Sequence, residues 1–308
     1  MTQLPPRKHE ISHVSDTALM VAACRALETE EPDAFARDPF AARLAGERGF
    51  AILDGLSWAM VLRFGMAVRT RFIDELLADA LAIHSIRTVL SVGCGLDTRP
   101  WRLDLPSSLR WIEVDFPDVL DYKHGLLAGE KAHCQVERLS VDLNDAAQRR
   151  TMYEAAGTEQ SLVITEGVLM YLPAATVDAL AAEIPTASGV SHWISDITTS
   201  DFGKAIRGGR PLESGFEHVR APDALAGEQI LDVLRTRGWT TEAMRSHTRD
   251  IAFAHDRARR VFGQRPQSAP PPFAPDDPTG IHRFAHAESC RLPRGITALQ
   301  EICTEKRR

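Results

Sequence analysis

Residues 88–99 read TVLSVGCGLDTR, and this stretch decides the architecture. Thr88 to Val92 is a short β-branched, apolar run that stops at Gly93-Cys94-Gly95. Such a run predicts a strand that ends in a glycine turn. In a doubly wound sheet the ligand lies beyond the carboxyl ends of the strands, and a glycine turn there lets the backbone approach it closely. A lone G-x-G does not identify that ligand. A dinucleotide fingerprint needs a third glycine three residues after Gly95, where this chain has Thr98, and the Gly-Lys-Ser/Thr of a P-loop is absent. Both phosphate-binding readings are therefore demoted.

Working outward from the glycine turn, short apolar runs alternate with helical segments, as βαβ units do. Strands are predicted at 88–92, 109–114, 135–141, 162–165 and 192–197, with helices at 118–128, 146–156, 174–183 and 222–237. Pro173 fits the first position of its helix, where a missing N–H costs nothing, and Gly238 suits a helix C-cap. The expected fold is α/β, a doubly wound, mostly parallel, Rossmann-like sheet. Upstream, apolar positions recur at helical spacing over 14–45, with Ser15 or Asp16 as N-cap, and again over 58–81. These make residues 1–85 a helical cover over a core at 86–264. Residues 265–280, RPQSAPPPFAPDDPTG, hold six prolines and form neither helix nor central strand. With the short tail beyond, they make 265–308 a connector and tail that docks on the main domain or on a partner subunit, so a homodimer stays open.

The 308-residue chain carries 36 basic and 42 acidic side chains, a formal charge of −6, with 44% hydrophobic residues. It has no sequence-wide basic footprint for nucleic acid. Five cysteines without a C-x-x-C pair suggest neither a disulfide framework nor a zinc ribbon. Neither a secretory h-region nor an apolar run of about 18 residues is present, so the chain is read as cytoplasmic, with no membrane partner.

Acids follow three successive predicted strands: Glu113-Val114-Asp115, Val141-Asp142-Leu143 and Thr165-Glu166-Gly167. Singly, each is a solvated strand end or a helix N-cap, Asp142 above all. Asp115 stands where an acid accepts hydrogen bonds from ribose hydroxyls. As a set, the acids favour a ligand with an adenosine and a positive charge but no phosphate, which is S-adenosyl-L-methionine.

The sequence resembles the leucine carboxyl methyltransferase family, including its TcmP-type bacterial O-methyltransferases of polyketide and other natural-product pathways. The likeness rests on SDTALMVAACRALE with the later RDPFAARLAG, on GMAVRTRFID, on VLSVGCGLDTRPWRLDLPSSLRWIEVDFPDVLDYK and on LVITEGVLMYLP, and runs from about Ser15 to Trp239. It implies that Arg69 binds the methionine carboxylate, with Arg71 and Arg25 as second choices. Gly93 and Gly95 would lie against the methionine part, Asp115 on the ribose, Asp142 and Leu143 on adenine, and Glu166 near the sulfonium and amino group. Cys94 departs from the small residue usual at its position. The cofactor implied is S-adenosyl-L-methionine, leaving as S-adenosyl-L-homocysteine.

Methyl transfer from a sulfonium is an in-line displacement that demands alignment and water exclusion, and no metal is obligatory. A carboxylate acceptor, with an ordinary pKa of about 4, needs no base, whereas a phenol near 10 gains from one. His192, His218, His247 and His255 are base candidates by residue type alone, and Tyr171 is the candidate to face the acceptor; each is equally explained by packing or surface. Asp196 and Asp201 make no visible metal cluster. The acceptor pocket is expected near 198–220, where Gly208, Gly209 and Gly215 loosen the backbone. The leading expectation is O-methylation, on a carboxylate or phenol, of a small molecule. The alternatives are carboxyl methylation of a protein or peptide C-terminus, a nucleotide-binding dehydrogenase, and a non-catalytic protein that binds S-adenosyl-L-methionine.

Overall fold

The computed structural model describes residues 13–206, 219–262 and 277–287. Three helices come first, α1 (Val14–Thr29), α2 (Ala41–Asp54) and α3 (Ala59–Ile83). There follow β1 (Thr88–Val92), α4 (Arg99–Arg102), β2 (Arg110–Asp115), α5 (Pro117–Leu126), β3 (Gln135–Ser140), α6 (Ala146–Ala156), β4 (Ser161–Thr165), α7 (Ala174–Ala187) and β5 (Val190–Ile197). The remaining elements are α8 (Ser200–Ile206), α9 (Gly227–Thr236), β6 (Trp239–Ser246), α10 (His255–Phe262) and β7 (Gly280–His286).

The strands join in one sheet in the order β3-β2-β1-β4-β5-β7-β6. β1 through β5 pair in parallel, while β7 runs antiparallel to both of its neighbours. The expected α/β class with a mostly parallel sheet is what forms. Every residue of β1 and β4 is buried, as strands covered on both faces must be. On one face α6, α7 and α9 bring Met152, Leu180 and Leu234 against Leu90, Val163 and Trp193. On the other, α3 lays Phe72, Leu76 and Leu77 on Val89, Leu162 and Ile194. A third cluster joins α1 and α2 to Leu96 and Trp101, so the N-terminal helices cover the glycine-turn end of the sheet.

The structure corrects several boundaries. The single helical stretch expected over 14–45 is two helices, because Pro32 disfavours a helical conformation at the residue before it and ends α1. The N-cap is His13, whose Nδ1 accepts the Ser15 N–H. Asp16 sits a turn inside the helix and accepts the His13 N–H at 3.2 Å. Pro173 is the N-cap residue of α7 rather than its first helical position. That helix also runs beyond the expected end at 183 with Pro185 inside it. The Ala181 carbonyl, which Pro185 cannot bond, accepts the Trp239 indole N–H at 2.9 Å instead. The helix expected over 222–237 is shorter, and Gly238 follows it at φ 86°, a left-handed position that favours glycine. Residues 280–286, read as part of a tail, are β7, inserted between β5 and β6. Among the described residues, no helix is long and apolar enough to cross a membrane.

Candidate active site

A cavity of about 340 Å³ opens at the carboxyl ends of the parallel strands. Gly93 and Gly95 adopt φ of 61° and 47°, so the turn after β1 takes a path other residues rarely follow. A Cβ on Gly93 would also meet Val168 at 2.5 Å, which holds the backbone itself against the cavity. Ser15, Thr17 and Ala18 of α1 and Met66 and Arg69 of α3 line the opposite side. The structure thus brings Arg69, Gly93, Gly95, Asp115, Asp142, Leu143, Glu166 and Tyr171 around one space.

The acids have distinct surroundings. Asp115, the last residue of β2, accepts the Gly95 N–H at 2.7 Å and the Phe116 N–H at 2.8 Å, bracing the glycine turn. Burial nevertheless raises its pKa. Asp142 accepts the Asn144 N–H at 2.9 Å and is not the N-cap of the following helix; that position belongs to Asp145. Leu143 is buried, its carbonyl held by Arg149 at 2.8 Å. Glu166 lies between two guanidiniums, Arg69 Nε at 3.0 Å and Arg99 Nη1 at 2.7 Å. Burial alone would raise the Glu166 carboxyl, but Arg99 and Arg69 outweigh it and hold it well below the usual carboxylate range.

Arg69 extends from α3 to Asp196 of β5 as well, at 3.4 Å, and Asp196 in turn accepts the Gly167 N–H at 2.7 Å. Asp74 receives both Arg99, at 2.7 Å, and Arg102, also at 2.7 Å. The result is a chain of charges that lines the cavity from Asp196 through Arg69 and Glu166 to Arg99 and continues away from it to Asp74 and Arg102. Of the second-choice cations, Arg25 lines the cavity but is tied to Asp38 at 2.8 Å and to the Leu96 carbonyl at 2.6 Å. Arg71 pairs with Glu75 at 2.8 Å and lies 3.8 Å over the Phe253 ring, away from the cavity lining.

The expected bases separate. His247 lines the cavity, packs against Phe72 at 5.9 Å and has a buried Nε2 without a hydrogen bond. Burial, helped by Arg69, lowers its pKa to about 4, so the ring is neutral at pH 7. His192 is not among the lining residues; it packs 3.9 Å from His84. His218, Gly208, Gly209 and Gly215, and the His255 side chain, lie outside the described residues. Tyr171 faces the cavity, with burial raising its pKa. A second cavity of about 530 Å³ adjoins the first, sharing Asp196, Thr198, Gly203 and Arg220 and adding Lys204. Arg220 donates to the Met170 and Leu225 carbonyls.

Arg99, Asp74 and Asp196 were not joined to the acids and glycines of the site from the sequence, and His247 was named only as one of four base candidates by residue type. Asp196 lies inside β5, one residue before its end, so a rule that sought acids after strands passed over it. Arg99 closes the quoted glycine stretch, in which only the glycines carry a turn signal. Asp74 had no local signal.

A family model described as leucine carboxyl methyltransferase matches residues 18–185. A protein of Streptomyces avermitilis, provisionally named an S-adenosyl-L-methionine-dependent methyltransferase, is 31% identical over 285 residues, covering 84% of this chain and 91% of the relative. One of Rhodococcus jostii with the same provisional name is 34% identical over 269 residues, covering 80% and 89%. Among solved structures, a DUF574 family protein from Streptomyces avermitilis superposes with a TM-score of 0.56 at 17% identity, over 91% of this chain and 99% of that one, and so shares the fold.

Proposed function

The chain belongs to the leucine carboxyl methyltransferase family, and from that membership we propose that it transfers the methyl group of S-adenosyl-L-methionine to an oxygen of a small molecule. The observation that carries this reading is one cavity, floored by glycine backbone, where acids from four strand ends meet a buried arginine. That donor set fits the cofactor: ribose hydroxyls require acceptors, a sulfonium and an ammonium require anions, and a carboxylate requires a cation. In this reading Asp115 accepts from the ribose, Asp142 and Leu143 flank the adenine, Glu166 holds the amino group and Arg69 the carboxylate. Bound there, S-adenosyl-L-methionine supplies a methyl carbon already activated by its sulfonium.

The chain's own residues then align the acceptor and exclude water. Lys204 and Arg220 give the adjoining cavity positive charge, which suits an anionic acceptor. His247, neutral with a pKa near 4, is a poor base for a phenol of pKa about 10. Both points favour a carboxylate nucleophile, ionised without help. The family resemblance adds a natural-product intermediate as the acceptor class.

The test is calorimetry with S-adenosyl-L-methionine, S-adenosyl-L-homocysteine and NAD, followed by a screen of carboxylate and phenol acceptors with the methylated atom fixed by NMR. Micromolar binding of the first two, none of NAD, and an O-methyl product are expected. Tight NAD binding, or a product methylated on nitrogen or carbon, overturns the reading.

A further inference from the structure

At the opening of β5, away from the cavity, three metal-ligating side chains converge from separate elements. His84 is the C-cap of α3, His192 lies on β5 and Glu242 on β6. Their ligand atoms all fall within 4.8 Å of one another. We infer that His84, His192 and Glu242 form a binding site for a divalent transition-metal ion of the zinc class, separate from the methyl-transfer cavity.

The separations suit coordination better than hydrogen bonding. His84 Nε2 stands 3.5 Å from Glu242 Oε1, and His192 Nε2 stands 3.7 Å from Oε2. Those are long for N–H···O bonds. The edge of a tetrahedron built on metal–nitrogen distances of about 2.0–2.1 Å is roughly 3.4 Å, which both nitrogen–oxygen separations approach. His84 Nε2 is buried and makes no hydrogen bond, a costly arrangement if packing were its only purpose.

The surroundings also orient the ligands as metal sites do. Ser191 Oγ lies 2.8 Å from His192 Nδ1, which leaves Nε2 facing the cluster. Arg283 Nε donates to Glu242 Oε2 at 2.9 Å, fixing the carboxylate while Oε1 faces His84. Two imidazoles and one carboxylate select zinc, cobalt, nickel or copper over magnesium or calcium. The Glu242 side chain is 34% exposed, leaving room for a water as fourth ligand. Such an ion would pin the end of α3 to β5 and β6, and α3 is the helix that carries Arg69.

The competing account is an ion pair of Glu242 with Arg283, flanked by two imidazoles in contact at a 34° tilt. Titration of chelator-stripped, full-length protein with Zn²⁺ and Co²⁺ separates the two. A metal site predicts one ion per chain, a Co²⁺ spectrum with ligand-field bands and no thiolate charge-transfer band, and a higher Tm with zinc. His84→Gln and Glu242→Gln should each weaken binding at least tenfold. The near-isosteric Glu242→Gln protein should keep its circular dichroism and its affinity for S-adenosyl-L-methionine, which separates failure at this site from failure of the methyltransferase reading. Absence of binding at 100 µM zinc (roughly the weakest affinity of interest), a thiolate band, or undiminished binding in the His84→Gln/Glu242→Gln double variant overturns the proposal.

Discussion

Glu113 on β2 and Glu166 just past β4 are both acids in the interior, built for opposite ends. Glu113 is fully buried and meets the equally buried Lys123 of α5 at 2.5 Å. Glu166 borders the cavity and is shared between Arg69 and Arg99, which have Asp196, Asp97 and Asp74 as further partners. In the first, Lys123 is the close partner of Glu113, and the Arg138 guanidinium stands farther off at 3.8 Å. In the second, the charges have several partners, so a zwitterionic ligand can replace one contact without leaving an ion bare. A sealed pair holds the fold; a shared network open to a cavity can hold a ligand.

The sealed pair breaks most severely. Lys123→Ala leaves Glu113 buried without its partner and should cost about 3–5 kcal/mol in denaturant unfolding. Replacing both, as Glu113→Leu with Lys123→Met, should restore most of that loss, because an apolar pair of similar volume is often neutral. If Lys123→Ala alone proved harmless, the pair would not be a structural element.

The shared network should instead show its loss in binding. Arg69→Ala should weaken S-adenosyl-L-methionine by about 1.5–3 kcal/mol in calorimetry, the range for bonds to charged groups. Arg71→Ala, two residues along the same helix but paired with Glu75, should change it by under about 0.5 kcal/mol. The reverse order would mean that the methionine carboxylate lies elsewhere.

His247 should add a smaller effect, visible in the pH dependence of stability. His247 has a folded pKa of about 4 against about 6.5 unfolded, so the unfolded chain binds the extra proton between those values. Stability should therefore fall as pH drops from about 6.5 towards 4, this residue contributing about 2 kcal/mol of the loss by pH 5. His247→Phe should flatten that share of the profile in unfolding measured at pH 7 and pH 5. An unchanged pH dependence would mean that the ring is not held neutral.

In the parallel half of the sheet β1 and β4 are apolar runs with turn residues after them, as burial on two faces demands. β3 at the edge is largely exposed and was readable from its place in the alternation of strands and helices. β6 and β7 were not. β6 has Thr240, Thr241 and Glu242 exposed at the sheet edge. β7 places His282, Arg283 and His286 among its buried residues, so neither alternates as a strand should. In the cavity, residues fixed by their position after a strand were readable: Gly93, Gly95, Asp115, Asp142 and Glu166. Arg99 and Asp74 matter through ion pairs that only the packed α3 and α4 create, and His247 through the end of a strand that was itself unread. The choice between Arg69 and Arg71 came from the resemblance and is consistent with where the helix turns each side chain.

β7 completes the sheet although it is, among the described residues, the last strand in sequence. During synthesis β5 is exposed along one edge, and β6 has no partner at all, until residues 280–286 have been made. At about 5–20 residues per second that interval lasts seconds, long enough for a bare strand edge to meet another nascent chain. Protection of that edge while the chain is being made is therefore a requirement separate from the stability of the finished molecule.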